Sequence, residues 1–173
     1  LAWPANTHCH SDHVGGNEKL AGAGLTTIEN LTLTGGAGIN GTGNVLNNVL
    51  IGNGADNTLN GGIGNDTLNG LAGNDVLNGA AGDDAINGSS GTDTINGEDG
   101  NDVLTGGPAD EVFNGGPGND LINPGASDGE ANTLNGGADT DSIVLTGDLN
   151  ANVIQINGSG GTLTIAIDAA TSN

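Results

Sequence analysis

From Leu50 onward one apolar residue returns at every ninth position: Leu50, Leu59, Leu68, Leu77, Ile86, Ile95, Leu104, Phe113 and Ile122. They sit in strand-like triplets such as Thr-Leu-Asn, Val-Leu-Asn and Thr-Ile-Asn, in which the middle residue is always apolar. Alternate residues of a strand face opposite ways, so the pattern predicts a three-residue strand with its centre inward and its neighbours outward. A three-residue insertion around Pro124–Glu130 delays Leu134, and Ile143 resumes the beat. A globular core would ask for more apolar residues and a linker would not keep such time. A fixed short period marks a stack of repeats.

The polar positions keep the same time. Two residues before the apolar position stands an acid, at Asp66, Asp75, Asp84, Asp93, Asp102, Glu111, Asp120 and Asp141, whereas Asn48, Asn57 and Asn132 hold that place near the ends. Units open with Gly, as at Gly61, Gly70, Gly79, Gly88, Gly97, Gly106 and Gly115. A turn that repeatedly needs positive φ calls for Gly, which has no Cβ to clash. Asn69-Gly70, Asn78-Gly79, Asn87-Gly88 and Asn96-Gly97 are expected to add Asn as a second left-handed residue beside it, the alternative being a polar ladder of the Asn residues from Asn60 to Asn96.

GGIGNDTLN (61–69) and GGPGNDLIN (115–123) resemble the G-G-x-G-x-D-x-U-x nonapeptide of the RTX, or haemolysin-type, calcium-binding repeats, over roughly residues 43–144. IENLTLTGGAGINGTGNVLNNVLIGN (28–53) is similar to the lead-in found before such arrays. The resemblance implies an all-β fold, a right-handed parallel β-roll (a β-solenoid) in which six residues turn and hold calcium and three form the strand. Two nonapeptides then make one coil. Asp66, Asp84, Asp102 and Asp120 fall in one column, and Asp75, Asp93 and Glu111 in the other, with Asp141 as a further candidate ligand. The backbone carbonyls assigned with them are those of Gly61, Ile63, Gly70, Ala72, Gly79, Ala81, Gly88, Ser90, Gly97, Asp99, Gly115 and Pro117.

Stacked strands lie about 4.8 Å apart, which brings column neighbours within reach of one shared ion. Like carboxylates at that spacing repel unless a cation intervenes. Calcium takes six to eight oxygens, which two carboxylates and several carbonyls provide, whereas zinc favours His or Cys. Several Ca²⁺ ions are therefore the expected cofactor. Glu111 is a weaker candidate, because GGPADEVFN places Ala109 where Gly is usual and carries the longer acid. Asn57 and Asn48 are weaker too, keeping an oxygen without its charge, and can form an amide ladder instead. One buried Leu or Ile per nonapeptide does not by itself offset the ordering of nine backbones, so calcium-dependent folding is expected.

Composition agrees. The 173 residues include 35 Gly, one Phe, one Trp and no Tyr or Met, and the net charge is −20 with Lys19 the sole basic side chain besides histidine. Without its period, so acidic and aromatic-poor a chain would read as disordered. With no cationic surface it excludes nucleic acid and an anionic membrane as partners, and no segment is apolar enough to span a bilayer. Cys9 has no second cysteine to pair with. The chain starts at Leu1 without the charged and apolar regions of a signal peptide, so a fragment or a processed piece is expected.

THCHSDHVGG (7–16) sets His8, His10, Asp12 and His13 in an H-x-H-x-D-H pattern that resembles the zinc loop of the metallo-β-lactamase fold. That fold also requires downstream His ligands, and no His follows His13. A remnant or fusion scar, an adventitious zinc-binding tract and chance similarity are the three readings. Beyond the array, Ser142–Thr146, Asn152–Ile156 and Thr162–Ile167 alternate apolar and polar residues and predict three strands. They fit a β cap or the start of another β module.

The expected organisation is an irregular segment over 1–27, the roll over 28–144 and a C-terminal β segment or cap over 145–173. The expected function is a non-enzymatic, calcium-binding structural module of a secreted protein. It would be monomeric, would fold outside the cell, and would stabilise or help export a partner domain. The alternatives are an adhesion or ligand-binding solenoid and a remnant of a zinc-dependent hydrolase. An ice-binding face would want an unbroken row of Thr, and Thr58, Thr67, Val76, Ala85, Thr94, Val103, Val112, Leu121 is not one. No nucleophile–base pair stands out, and Asp83, Asp99 and Asp110 read as exposed turn acids.

Overall fold

The apolar file and the glycine turns wind into a parallel β-solenoid of about six coils, seen in a computed structural model that describes residues 30–127, 131–147, 153–154 and 162–168. Each coil contributes one strand to each of two sheets. The nine-stranded sheet runs from Asn30–Thr32 through Val49–Ile51, Thr67–Ala72, Ala85–Ser90, Val103–Thr105 and Leu121–Asn123 to Thr140–Gly147, which also pairs with Ala126–Ser127 and Thr162–Asp168. The seven-stranded sheet stacks Gly41–Thr42, Thr58–Ile63, Val76–Ala81, Thr94–Asp99, Val112–Pro117, Thr133–Ala138 and Val153–Ile154.

Register follows the apolar period without slippage. Leu50 pairs with Leu68, Leu68 with Ile86, Ile86 with Leu104 and Leu104 with Ile122. On the other sheet Leu59 pairs with Leu77, Leu77 with Ile95 and Ile95 with Phe113. These side chains form one buried core, against which Leu31 and Leu33 pack at the N-terminal end. Moving a strand by one residue would turn its apolar side chain out to solvent, which is why the register holds. The insertion is absorbed with the register intact: Phe113 still meets Leu134, and Ile122 still meets Ile143.

The strands are longer than the sequence pattern suggests. Seven of them run six residues, because the first three residues of the turn also lie in the ladder, as where Leu71 pairs with Ser89 and Ala72 with Ser90. Successive turns repeat at the strand spacing, so their peptide groups meet their own copies. Past the array, Thr140–Gly147 and Thr162–Asp168 pair along seven residues, and Val153–Ile154 sits on Thr133–Leu134. Both sheets therefore continue into the C-terminal strands. Of the predicted 152–156 strand, Val153–Ile154 is described and the rest lies outside the described residues.

One expectation about the turns needs correction here. The left-handed residues are not Asn69, Asn78, Asn87 and Asn96. They are Leu71, Ala80, Ser89 and Glu98, two positions later, with φ of 77, 83, 74 and 71°. The Asn side chains instead stand on the strands. On the seven-stranded sheet they form an amide ladder, with Asn96 Nδ2 donating to Asn78 Oδ1, Asn114 to Asn96 and Asn135 to Asn114, each at 2.7 Å.

Candidate metal centre

The residue before each strand is fixed by its neighbour one coil on. The backbone N–H of Asn48 donates to Asp66 Oδ1 at 2.6 Å, Asp66 to Asp84 at 2.7 Å, Asp84 to Asp102 at 2.8 Å, Asp102 to Asp120 at 2.9 Å and Asp120 to Asp141 at 3.1 Å. On the opposite edge Asn57 donates to Asp75 Oδ1 at 2.7 Å, Asp75 to Asp93 at 2.8 Å and Glu111 to Asn132 Oδ1 at 2.8 Å. These two files are what the spacing predicted, and Asp141 extends the first. Every acid in them is buried, at most 4 % exposed.

Each aspartate thus spends one oxygen on the stack. The second, Oδ2 of Asp66, Asp75, Asp84, Asp93, Asp102 and Asp120, is buried with no hydrogen-bond partner. Burial without a partner disfavours the charged form. It pushes Asp84 and Asp120 up to about 7, while the backbone N–H that each accepts pulls the other way and neighbouring carboxylates add a smaller upward push. Asp93 and Asp102 are pushed up to about 6 by the same burial, and Asp66, Asp75 and Asp141 are raised as well. A row of buried carboxylates with spare oxygens has the chemistry to hold hard cations.

The opening glycine makes room for that oxygen. A Cβ at Gly79 would run into Asp84 Oδ2 and stand 2.8 Å from Gly97 O, and at Gly97 into Asp102 Oδ2 and 2.7 Å from Gly115 O. Space, not a positive φ, is the requirement at this position. The carbonyls of Gly79, Gly97 and Gly115 thereby face the turn one coil earlier, and those of Gly61, Gly70 and Gly88 do the same beside Gly43, Gly52 and Gly70. The other predicted carbonyls are part of the stack: Ala81, Ser90, Asp99 and Pro117 accept from the N–H of Gly64, Gly73, Gly82 and Gly100 at 2.8 to 3.1 Å. Ile63 and Ala72 pair in register with Ala81 and Ser90.

The donor set tests the fit to a metal. All its atoms are hard oxygens, from carboxylates and carbonyls, which suits calcium and not zinc. Among the described residues no group of three or more His, Cys, Asp or Glu side chains gathers at one point. The carboxylates come in stacked pairs, so carbonyls must complete any coordination shell. Four copies of the family model for the RTX calcium-binding nonapeptide repeat match, at residues 42–77, 51–86, 60–95 and 87–122.

Residues 42–122 are RTX calcium-binding repeats.

The RTX repeats bind Ca²⁺, several ions to an array, and this roll is a calcium-binding module. Comparison with curated proteins gives no match. His8, His10, Asp12 and His13 lie outside the described residues.

A further set of residues supports the RTX turns, and sequence reasoning passed over it. In most repeats the residue just before the file position is Asn or Asp, and its side chain also reaches to its neighbouring coil. Asn47 Oδ1 accepts from Asn65 N–H, Asn65 from Asp83, Asp83 from Asn101 and Asn101 from Asn119, at 2.8 to 3.2 Å. On the other edge Asp56 serves Asn74, and Asp110 serves Ala131, both at 2.7 Å. Asp83 and Asp110 are exposed, as expected, yet they staple coils together. The recurrence of Asn or Asp one place before the file acid was the available signal.

Proposed function

We propose that this module takes up calcium between successive aspartates of each file, folds as it does so outside the cell, and there stabilises or helps export a partner domain of the same secreted protein. The ligands would be Asp66, Asp84, Asp102, Asp120 and Asp141 on one edge and Asp75 and Asp93 on the other, with Glu111 weaker. The opening and third-position carbonyls of each turn complete the set. Bound calcium supplies the positive charge that buried carboxylates require. The chain's own residues do the rest: Oδ1 ties coil to coil, Oδ2 faces the ion, and the opening glycine leaves room for both.

One observation carries this reading: the six partnerless, buried Oδ2 atoms. A net charge of −20 adds self-repulsion that opposes the compact state until cations arrive. Low calcium inside a cell and higher calcium outside would make the module fold after export. We read 28–144 as the roll and 145–173 as its cap, in a monomeric, non-catalytic unit.

Far-ultraviolet circular dichroism during a calcium titration tests this. The β spectrum should be absent in excess chelator and should appear cooperatively as calcium is added. A full β spectrum in chelator would contradict it.

A further inference from the structure

Two turns near the N-terminal end of the described roll differ from the aspartate turns in how their side chains are used. At Asn57 both amide atoms are spoken for: Nδ2 donates to Ile39 O at 2.8 Å and to Asn53 Oδ1 at 3.2 Å, and Oδ1 accepts from Asn53 N–H at 2.8 Å. At Asn48, Oδ1 likewise accepts from the N–H four residues earlier, that of Asn44, at 2.7 Å. The aspartate turns lack this closure. In Asp75, the residue stacked on Asn57, Oδ1 accepts Asn57 N–H and Oδ2 has no partner.

We infer that Asn57 and Asn48 are the stops of the two calcium files: their amides close the turns that aspartates leave open, so no ion is held on their N-terminal side. The inference rests on the reading of the aspartate files as calcium sites.

The chemistry follows from the swap of one oxygen for NH₂. A carboxylate can only accept, so an aspartate facing a carbonyl of the preceding coil needs a cation between the two. An amide brings its own donor, and Asn57 Nδ2 reaches the Ile39 carbonyl directly. A calcium ion there would have to break that hydrogen bond and would gain no charge in return. Asn53 completes the closure, with Nδ2 on Ala37 O at 2.9 Å and Oδ1 accepting Ala55 N–H at 3.0 Å. The number of ions is thus set by where Asp gives way to Asn, and the terminal turns stay satisfied without metal.

The test counts bound calcium per chain by equilibrium dialysis or native mass spectrometry, on the full chain and on Asn57→Asp and Asn57→Ala. Asn57→Asp should bind one more ion than the parent, by opening a site between its own carboxylate and the preceding coil at Ile39. Asn57→Ala should bind as many as the parent and melt at lower temperature in calcium, because closure is lost without loss of a ligand. An unchanged count in Asn57→Asp, or one ion fewer in Asn57→Ala, overturns the inference while leaving the aspartate files standing. A parent chain that binds no calcium overturns both. If Asn57→Asp does not fold, the count in Asn57→Ala decides.

Discussion

Leu104 and Asp102 lie two residues apart and are almost equally buried, at 0 and 1 % exposed, yet the same burial acts on them in opposite directions. Leu104 stacks between Ile86 and Ile122 and gains from leaving water. Asp102 stacks between Asp84 and Asp120, keeps an unpartnered oxygen and is pushed up to about 6 by lost solvation. The apolar file favours the roll at every calcium level without being enough to hold it alone. On the function proposed above, the acid files favour it only when a cation is bound. One nine-residue period therefore encodes a permanent contact and a conditional one side by side.

Removing a member of the apolar file should have the largest effect. Leu104→Ala is expected to cost about 2–5 kcal/mol in saturating calcium, read from denaturant melts, with the same sign at every calcium level. Asp102→Asn should behave differently: a loss of roughly 1–3 kcal/mol in calcium, together with a higher calcium midpoint, but a gain in chelator, because a buried charge has gone. A loss of equal size in both conditions would erase the distinction between the files.

Acidity sharpens the same contrast. The folded-state values of Asp84, Asp93, Asp102 and Asp120, at about 6 to 7, lie above those of an unfolded aspartate, near 3.9. Their contribution to the metal-free roll is therefore fully present below about pH 4 and is lost as pH rises through about 6 to 7. In chelator, circular dichroism should show more β structure at pH 5 than at pH 8. In calcium the trend should reverse at low occupancy, since protons and calcium compete for the same oxygens.

The smallest effect belongs to the turn backbone. Ala80 holds a φ of 83°, where Gly62, Gly116 and Gly137 occupy the same place in their own repeats. Ala80→Gly removes that strain and adds unfolded-state freedom, for a net gain of about 1 kcal/mol or less in calcium melts.

Much of this was legible because a repeat multiplies a weak signal. The apolar file, the two aspartate files and the compensation of the insertion at Leu134 and Ile143 all follow from counting nine. What escaped depends on atoms within the turn. Gly79 looked like a residue chosen for positive φ, and it is needed for the space that Asp84 Oδ2 takes. Asn78 fitted a turn residue better than a rung of a polar ladder, and it is the rung. Asn57 looked like a weakened acid, and it is a closed turn. Residue type and spacing set the period, whereas the use of each side-chain atom depends on which backbone group the next coil brings against it.

The most direct test is anomalous diffraction from crystals grown in calcium. Peaks should fall between Asp84 and Asp102, between Asp102 and Asp120 and between Asp75 and Asp93, within about 2.3–2.6 Å of their free oxygens. A well-ordered roll with no calcium between those pairs, its Oδ2 atoms turned out to solvent, would contradict the account.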